Sequence, residues 1–351
     1  MFKFSTFSLT NIILTVSLIY LVFASVFVLT SITSSLFPNY FIYLVSALVL
    51  FILFSKVDFD IYLLLTKHLY VLSIVLLVLP LVIGQVTRGT IRWIPLGVIR
   101  IQPSELVRPF LLLYFANYLT QKELNFKRLL KAFGILLLPL LLIVIQPSLG
   151  VAVLTAAGFF GTLLASSVNK KYILAGFVAI LVISPLLFLM LQPYQKQRIT
   201  SFLDPQNDPY GSGYNSIQSM IAVGSGKLIG RGLGKGVQTQ LEFLPEKHTD
   251  FIFAAIAEEM GFLGTSLVLL GLLGILWSLI VIIENPSSPA ARSYVTGVFF
   301  VFIAETIIHI GMNMGLLPIT GIPLPFVSAG GSALIGSTMS LAIAVKAYRG
   351  N

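Results

Sequence analysis

Apolar runs of about twenty residues recur from one end of this chain to the other, and that recurrence decides its fold class. A helix rises 1.5 Å per residue, so each such run can cross the roughly 30 Å of hydrocarbon in a bilayer. Ten spans are expected, over about 9–30, 40–54, 62–83, 102–119, 129–146, 151–167, 172–191, 251–283, 291–314 and 328–347. The second, fifth and sixth are short or interrupted by Pro and Gly. Nothing between the runs is long and polar enough for a soluble domain, so residues 1–351 are read as one all-α polytopic membrane domain. Composition agrees, with 57% hydrophobic and 10% charged residues against about 45–50% and 25% in soluble domains. The first run is too long for a signal peptide and lacks a convincing small-residue cleavage site, so it is read as a retained span. Cysteine is absent, which excludes disulfides.

Ten spans place both termini on one side, and positive charge chooses which. On this reading the inner side holds Lys3, Lys56, Lys67, Lys122, Lys127, Arg128, Lys131, Lys170, Lys171, Arg292, Lys346 and Arg349, while the short outer loops hold only Arg88, Arg92 and Arg100. Both termini are therefore expected in the cytoplasm, and the segment at about 192–250 becomes a large extracytoplasmic loop. The net charge of +9 does not point to nucleic acid, because there is no soluble basic domain. Arg88, Arg92, Arg100, Lys196, Arg198, Lys227, Arg231, Lys235 and Lys247 lie against the topological bias. A basic outer rim suits an anionic ligand such as a phosphorylated lipid, or contact with anionic headgroups.

Within the outer loop, Pro193, Pro205 and Pro209 with Asp204, Asn207 and Asp208 are turn chemistry. Tyr214, Ile217 and Ile221 recur at helical spacing and predict a short amphipathic helix in the interface. Gly224, Gly226, Gly230, Gly232, Gly234 and Gly236 alternate with Lys227, Arg231 and Lys235. That pattern fits either a hinge or a loop that points several N–H groups at one oxyanion.

Charges inside the spans narrow the candidates further, because they are costly there and face a partner or a cavity. Glu105 and Arg108, spaced i,i+3, form either a structural ion pair or part of a site lining. Glu305 and His309, spaced i,i+4, are expected to pair with each other in helix packing, with a proton relay as the alternative. Glu258 and Glu259 lie about 12 Å along one helix from Asp250, and Glu258 is read as a structural acid. Asp250, at the end of the charged stretch LPEKHTD (244–250), either caps the eighth span, with Thr249 as the rival cap, or is an outward-facing acid placed for chemistry.

QPSEL at 102–106, FLDPQNDPYGSGY at 202–214, QTQLEFLPEKHTDFIFAAIAEEMGFLG at 238–264 and GLLPITGIPLPFVSAGGSALI at 315–335 strongly resemble the SEDS family of cell-wall polymerases, which includes RodA, FtsW and SpoVE. The resemblance covers nearly the whole chain, in order. It implies a peptidoglycan glycosyltransferase that polymerises lipid II, an undecaprenyl-diphosphate-linked disaccharide peptide, by inverting transfer on the outer face of the bacterial cytoplasmic membrane. The family's catalytic acid falls on Asp250 and its acid–base pair on Glu105 and Arg108, with Arg108 standing where Lys is usual. Ser148 stands where Asp is common and Ala329 where an aromatic is common. The bare N-terminus and QTQLEFLPEKHTDFIF lean towards RodA and a role in elongation and rod shape, with FtsW or SpoVE as the alternatives. The resemblance also implies a class B penicillin-binding protein as partner, alongside the surrounding membrane lipids.

On this reading Asp250 is the general base, and Arg92, Lys227, Arg231, Lys247 and His248 join Arg108 in binding the substrate and its diphosphate. No cofactor is required by the residues; a divalent cation such as Mg or Mn, with Asp250 or Glu105 as ligand, stays open. A lipid II flippase and a scaffold for the penicillin-binding protein are the competing classes. No repeat relates the two halves as many transporters would require.

Overall fold

Hydrocarbon offers no hydrogen bonds, so the apolar runs satisfy their own backbone as helices. The computed structural model describes residues 6–83, 85–87, 90–169, 171–173, 176, 193–211 and 213–349; the seventh expected span falls almost wholly outside them, as do Lys3, Arg88 and Lys170. The helices are α1 (Thr6–Ile32), α2 (Asn39–Lys56), α3 (Phe59–Ile83), α4 (Pro103–Leu106), α5 (Arg108–Thr120), α6 (Phe126–Ile145) and α7 (Leu149–Leu164) in the first half. The second half holds α8 (Pro193–Leu203), α9 (Tyr214–Ser225), α10 (Val237–Gln240), α11 (Ile252–Glu284), α12 (Pro289–Asn313) and α13 (Gly331–Lys346). Among the described residues, α1, α2, α3, α6, α11 and α12 are long and apolar enough to cross a membrane, and α7 and α13 are shorter apolar helices.

The fourth expected span divides into α4 and α5. Pro109 has no N–H to give the carbonyl of Glu105 one turn back, and that freed carbonyl meets α13 at Gly336, where a Cβ would not fit. α5 is central to the bundle. Its Leu112 and Leu113 join a core with Leu21, Ile256, Leu279, Tyr294 and Leu341, while its Leu111, Phe115 and Leu119 join a second core with Leu77, Ile143 and Phe159. Nine of its 13 residues are buried, and that packing supports a helix of a length that is marginal alone.

The all-α reading passed over a small antiparallel sheet between α3 and α4, ordered β1 (Gln85–Thr87), β2 (Thr90–Leu96) and β3 (Ile99–Ile101). Ile94 lies opposite Ile101 and Leu96 opposite Ile99. Tyr43 pins the sheet to α2, its hydroxyl donating to the Arg100 carbonyl at 2.7 Å and accepting from the Arg100 amide at 2.8 Å.

Residues 214–250 run along α11 and back. The amphipathic helix forms as α9, but the face packed on the protein is the small one of Ser216, Ser219 and Ala222, and Ile221 points outward. α11 is broken at Gly261, whose φ of 66° and ψ of −163° suit glycine alone. The glycine-rich loop fills the break. Phe262 and Leu263 donate to the carbonyls of Lys227 and Leu228 at 2.9 and 3.1 Å, and Arg231 and Gly232 donate to those of Glu258 and Glu259 at 2.9 and 3.0 Å. Gly226 lies so close to the Ala257 carbonyl that no Cβ would fit. The loop amides of Arg231 and Gly232 are therefore spent on protein carbonyls and cannot join a nest of N–H groups for an oxyanion.

Candidate functional site

The stretch 244–250 is anchored at both ends by apolar burial, Leu244 and the neighbouring Phe251 packing with Ala222 and Ala254. Between them the chain turns tightly, Thr249 and Phe251 both donating to the Glu246 carbonyl at 3.0 and 3.3 Å. Its carbonyls are then held one after another from a different part of the chain. Ala329 N–H donates to His248 O at 2.9 Å, Ser328 Oγ to Thr249 O at 2.9 Å, and Asn313 Nδ2 to Asp250 O at 2.9 Å. The backbone carrying Asp250 is thus fixed against the loop at 314–330 and the end of α12.

The capping alternative for Asp250 and Thr249 is not what the structure displays. The N-cap position of α11 is Phe251, which makes no side-chain cap bond. The amide of Ala254 is instead met by Asn313 Oδ1 at 3.0 Å. Asn313 is fully buried; its Nδ2 also donates to His309 O at 2.8 Å, and its own carbonyl accepts from Ser219 Oγ at 2.8 Å. Sequence reasoning missed this residue, whose only signal was an amide in an apolar span. Asn313→Ala should lower the thermal midpoint by the several degrees that about 1–3 kcal/mol for orphaned buried groups implies, with loss of activity. Asn313→Asp keeps the cap acceptor and should recover part of the stability, which thermal unfolding in detergent checks.

The Asp250 carboxylate faces the loop at 315–330 where that loop has no side chain. A Cβ on Gly321 would stand 3.4 Å from Asp250 Oδ2, and Gly321 has a φ of 70°. Arg198 on α8 reaches the same loop, donating to Ile319 O at 3.2 Å.

A second polar group lies deeper. The guanidinium of Arg108 spans two acids, Nη1 donating to Glu305 Oε1 at 2.6 Å and Nη2 to Glu105 Oε2. All three side chains are buried. This corrects the expected Glu305–His309 pairing: Glu305 turns to Arg108, 197 positions away in sequence. His309 Nδ1 lies 2.8 Å from Ile322 O; a carbonyl only accepts, so Nδ1 carries the proton. One loop therefore links the two groups, Gly321 beside Asp250, Ile322 on His309, and Pro323, Leu324 and Phe326 lining a small cavity with Glu305 and Ser337.

The other candidates fall in three places. Lys247 Nζ donates to Thr239 O at 2.5 Å, bracing the stretch from below, and His248 Nε2 lies 3.9 Å from Glu246 Oε2. Arg92 sits on β2 against the Trp93 ring, 5.9 Å from its centroid. Lys227 and Arg231 are not beside Asp250: their backbone docks at Glu258 and Phe262, at least eight residues along α11, or about 12 Å. Arg231 Nε bonds Ser225 Oγ at 3.2 Å. Glu258 accepts from the amides of Gln238 and Thr239 at 2.8 and 3.0 Å and from Thr239 Oγ1 at 3.0 Å, as a structural acid should. Ser148 Oγ accepts from Gln102 Nε2 at 3.2 Å, and Ala329 meets His248 through its backbone N–H while its methyl packs against the main core.

The profile of the FtsW/RodA/SpoVE family, described as cell cycle protein, matches residues 3–351. The chain belongs to this family. Peptidoglycan glycosyltransferase MrdB of Escherichia coli strain K12 is 38% identical over 271 residues, covering 76% of this chain and 73% of that protein. Probable peptidoglycan glycosyltransferase FtsW of Aliivibrio salmonicida is 35% identical over 293 residues, covering 80% and 72%. Among solved structures, a chain from work on the structural coordination of polymerization and crosslinking by a peptidoglycan synthase complex superposes with a TM-score of 0.81 at 28% identity, over 95% of each chain. Like other FtsW/RodA/SpoVE proteins, this one is a multi-pass membrane protein.

Proposed function

We propose that this protein is a peptidoglycan glycosyltransferase that joins lipid II units into glycan strands on the outer face of the cytoplasmic membrane, with Asp250 as the general base. One observation carries the assignment. Asp250 is held by its backbone between α11 and α12, and its carboxylate lies against the loop at 315–330 at Gly321. The names of its relatives supply the reaction class.

In the reaction an acceptor sugar hydroxyl attacks the anomeric carbon of the donor. A C–O bond forms as the bond to the lipid diphosphate breaks, and the hydroxyl proton passes to Asp250. General-base help is worth about 10²- to 10⁴-fold, so positioning and stabilisation of the departing diphosphate supply the rest. Lys247 and His248 lie in the stretch that carries Asp250 and serve that charge, with Arg92 on β2 as a further cation for it; the Arg108 group, with Glu105, stabilises the loop that faces Asp250. Glu105 gives its Oε2 to Arg108. Among the described residues no three His, Asp or Glu side chains gather to hold an ion.

The positive-inside bias places both termini in the cytoplasm and Asp250 outside. The synthase complex to which the chain is similar motivates a class B penicillin-binding protein as partner, and an elongation role is the reading the RodA-like motifs support. The test is polymerisation of purified lipid II by the purified protein, with the partner's transpeptidase site blocked: glycan chains are expected, and their absence sinks the proposal. In parallel, Gln240→Cys should react in intact cells with a membrane-impermeant thiol reagent and Asn125→Cys should not. The reverse pattern would put the site inside.

A further inference from the structure

Burial along α11 marks where lipid begins. Every residue from Ile252 to Glu259 is buried, whereas Phe262 and Leu263 are 63% and 56% exposed, and Leu267, Leu270, Leu273 and Trp277 continue that face turn by turn. An exposed apolar stripe on a helix of this length is a lipid-facing surface. Its upper limit is the break at Gly261, where the glycine-rich loop docks.

At that limit the loop presents Leu228 and Ile229, 67% and 75% exposed, on the turn in which the Lys227 and Leu228 carbonyls hold Phe262 and Leu263. Lys227, Arg231 and Lys235 are exposed around them. Much of the loop backbone is already paired, since the amides at 230, 231, 232 and 235 all bond carbonyls and the carbonyls of Lys227 and Leu228 accept from α11. The acids beneath are occupied: Glu258 by Gln238 and Thr239, with Arg231 Nε 4.0 Å from its Oε1, and Glu259 by Ser31 Oγ and Gln240 Nε2, both at 2.7 Å, so Arg231 keeps only its outer guanidinium nitrogens for a phosphate. What remains outward is an apolar tip ringed by cations, the combination that inserts at the boundary between headgroups and acyl chains.

We propose that residues 227–235 form an anchoring lip, in which Leu228 and Ile229 enter the acyl boundary and Lys227, Arg231 and Lys235 bind the phosphates of anionic phospholipids in the surrounding leaflet. The lip stands about 12 Å or more from Asp250 along α11 and needs no lipid II, so it is independent of the catalytic reading. It fixes the height of α11, and with it Asp250, relative to the bilayer.

The chain has no native cysteine, so Ile229→Cys can be labelled alone with a fluorophore in nanodiscs of phosphatidylcholine and phosphatidylglycerol, with no lipid II present. Nitroxide lipids labelled high on the acyl chain should quench it. Spin-labelled phosphatidylglycerol should be enriched over phosphatidylcholine at the wild-type protein, and the triple variant Lys227→Gln, Arg231→Gln, Lys235→Gln should lose that preference several-fold while keeping its thermal midpoint. An unquenched label, or a triple variant with the wild-type lipid preference, overturns the proposal. So does a label that the partner protein shields from lipid, which would assign the patch to the partner. A triple variant that raises the KM for lipid II equally with and without phosphatidylglycerol would assign the cations to substrate and likewise overturn it.

Discussion

Asp250→Asn is expected to lower glycan polymerisation from purified lipid II by at least about 10²-fold while leaving expression, thermal midpoint and partner binding unchanged. The size of the effect follows from the role: an amide cannot accept the hydroxyl proton, and general-base help is worth about 10²- to 10⁴-fold. The retained fold follows from the geometry. What anchors this position is its backbone carbonyl on Asn313 and its neighbours' carbonyls on Ser328 and Ala329, and none of those bonds changes in the variant. A capping role would predict little change, because Asn caps a helix about as well as Asp; α11 takes its cap from Asn313. Lipid II binding should survive in part, since the cations are untouched. Near wild-type chain formation by the Asn variant would end the assignment of Asp250 as base.

Arg108→Leu is expected to be the most destabilising single change among the site residues. It leaves Glu105 and Glu305 buried with no cation between them, and breaking a buried ion pair by removing one partner costs about 3–5 kcal/mol. In Arg108→Lys the charge stays, but a single ammonium lacks the fork that reaches both acids at once. The thermal midpoints should therefore fall in the order wild type, Lys, Leu. Replacing Glu105, Arg108 and Glu305 together by Met removes every buried charge and should restore most of the stability, as apolar replacement of buried ion pairs often does. Activity should not return with it, because the cavity beside Glu305 is bounded by the loop that faces Asp250. A stable Arg108→Leu variant would refute the coupling of the three charges; a fully active triple-Met variant would remove them from the site.

The sequence by itself determined the helices. Hydrophobic length is a local property, and a chain in lipid must hydrogen-bond within each segment, so the runs at 9–30, 62–83, 251–283 and 291–314 correspond to α1, α3, α11 and α12 without reference to their neighbours. The stretch LPEKHTD was also legible, since a crowd of charge beside an apolar run is conspicuous in a chain with so few charges. The small sheet at 85–101 was not, because three short strands carry too little periodicity to compete with the helical pattern around them. Tertiary structure alone decided the pairings. Whether Glu305 meets His309 or Arg108 depends on where α5 lies against α12, and one turn of its own helix does not settle that. Whether six glycines cradle a phosphate or fill a broken helix depends on what occupies the other side of the loop, and here it is Gly261. Asn313 acquires its role only when α9, α11 and α12 converge on it. These contacts join residues up to 197 positions apart, and buried polar groups take whichever partner packing brings within reach, because leaving one unpaired costs more than any local preference can return.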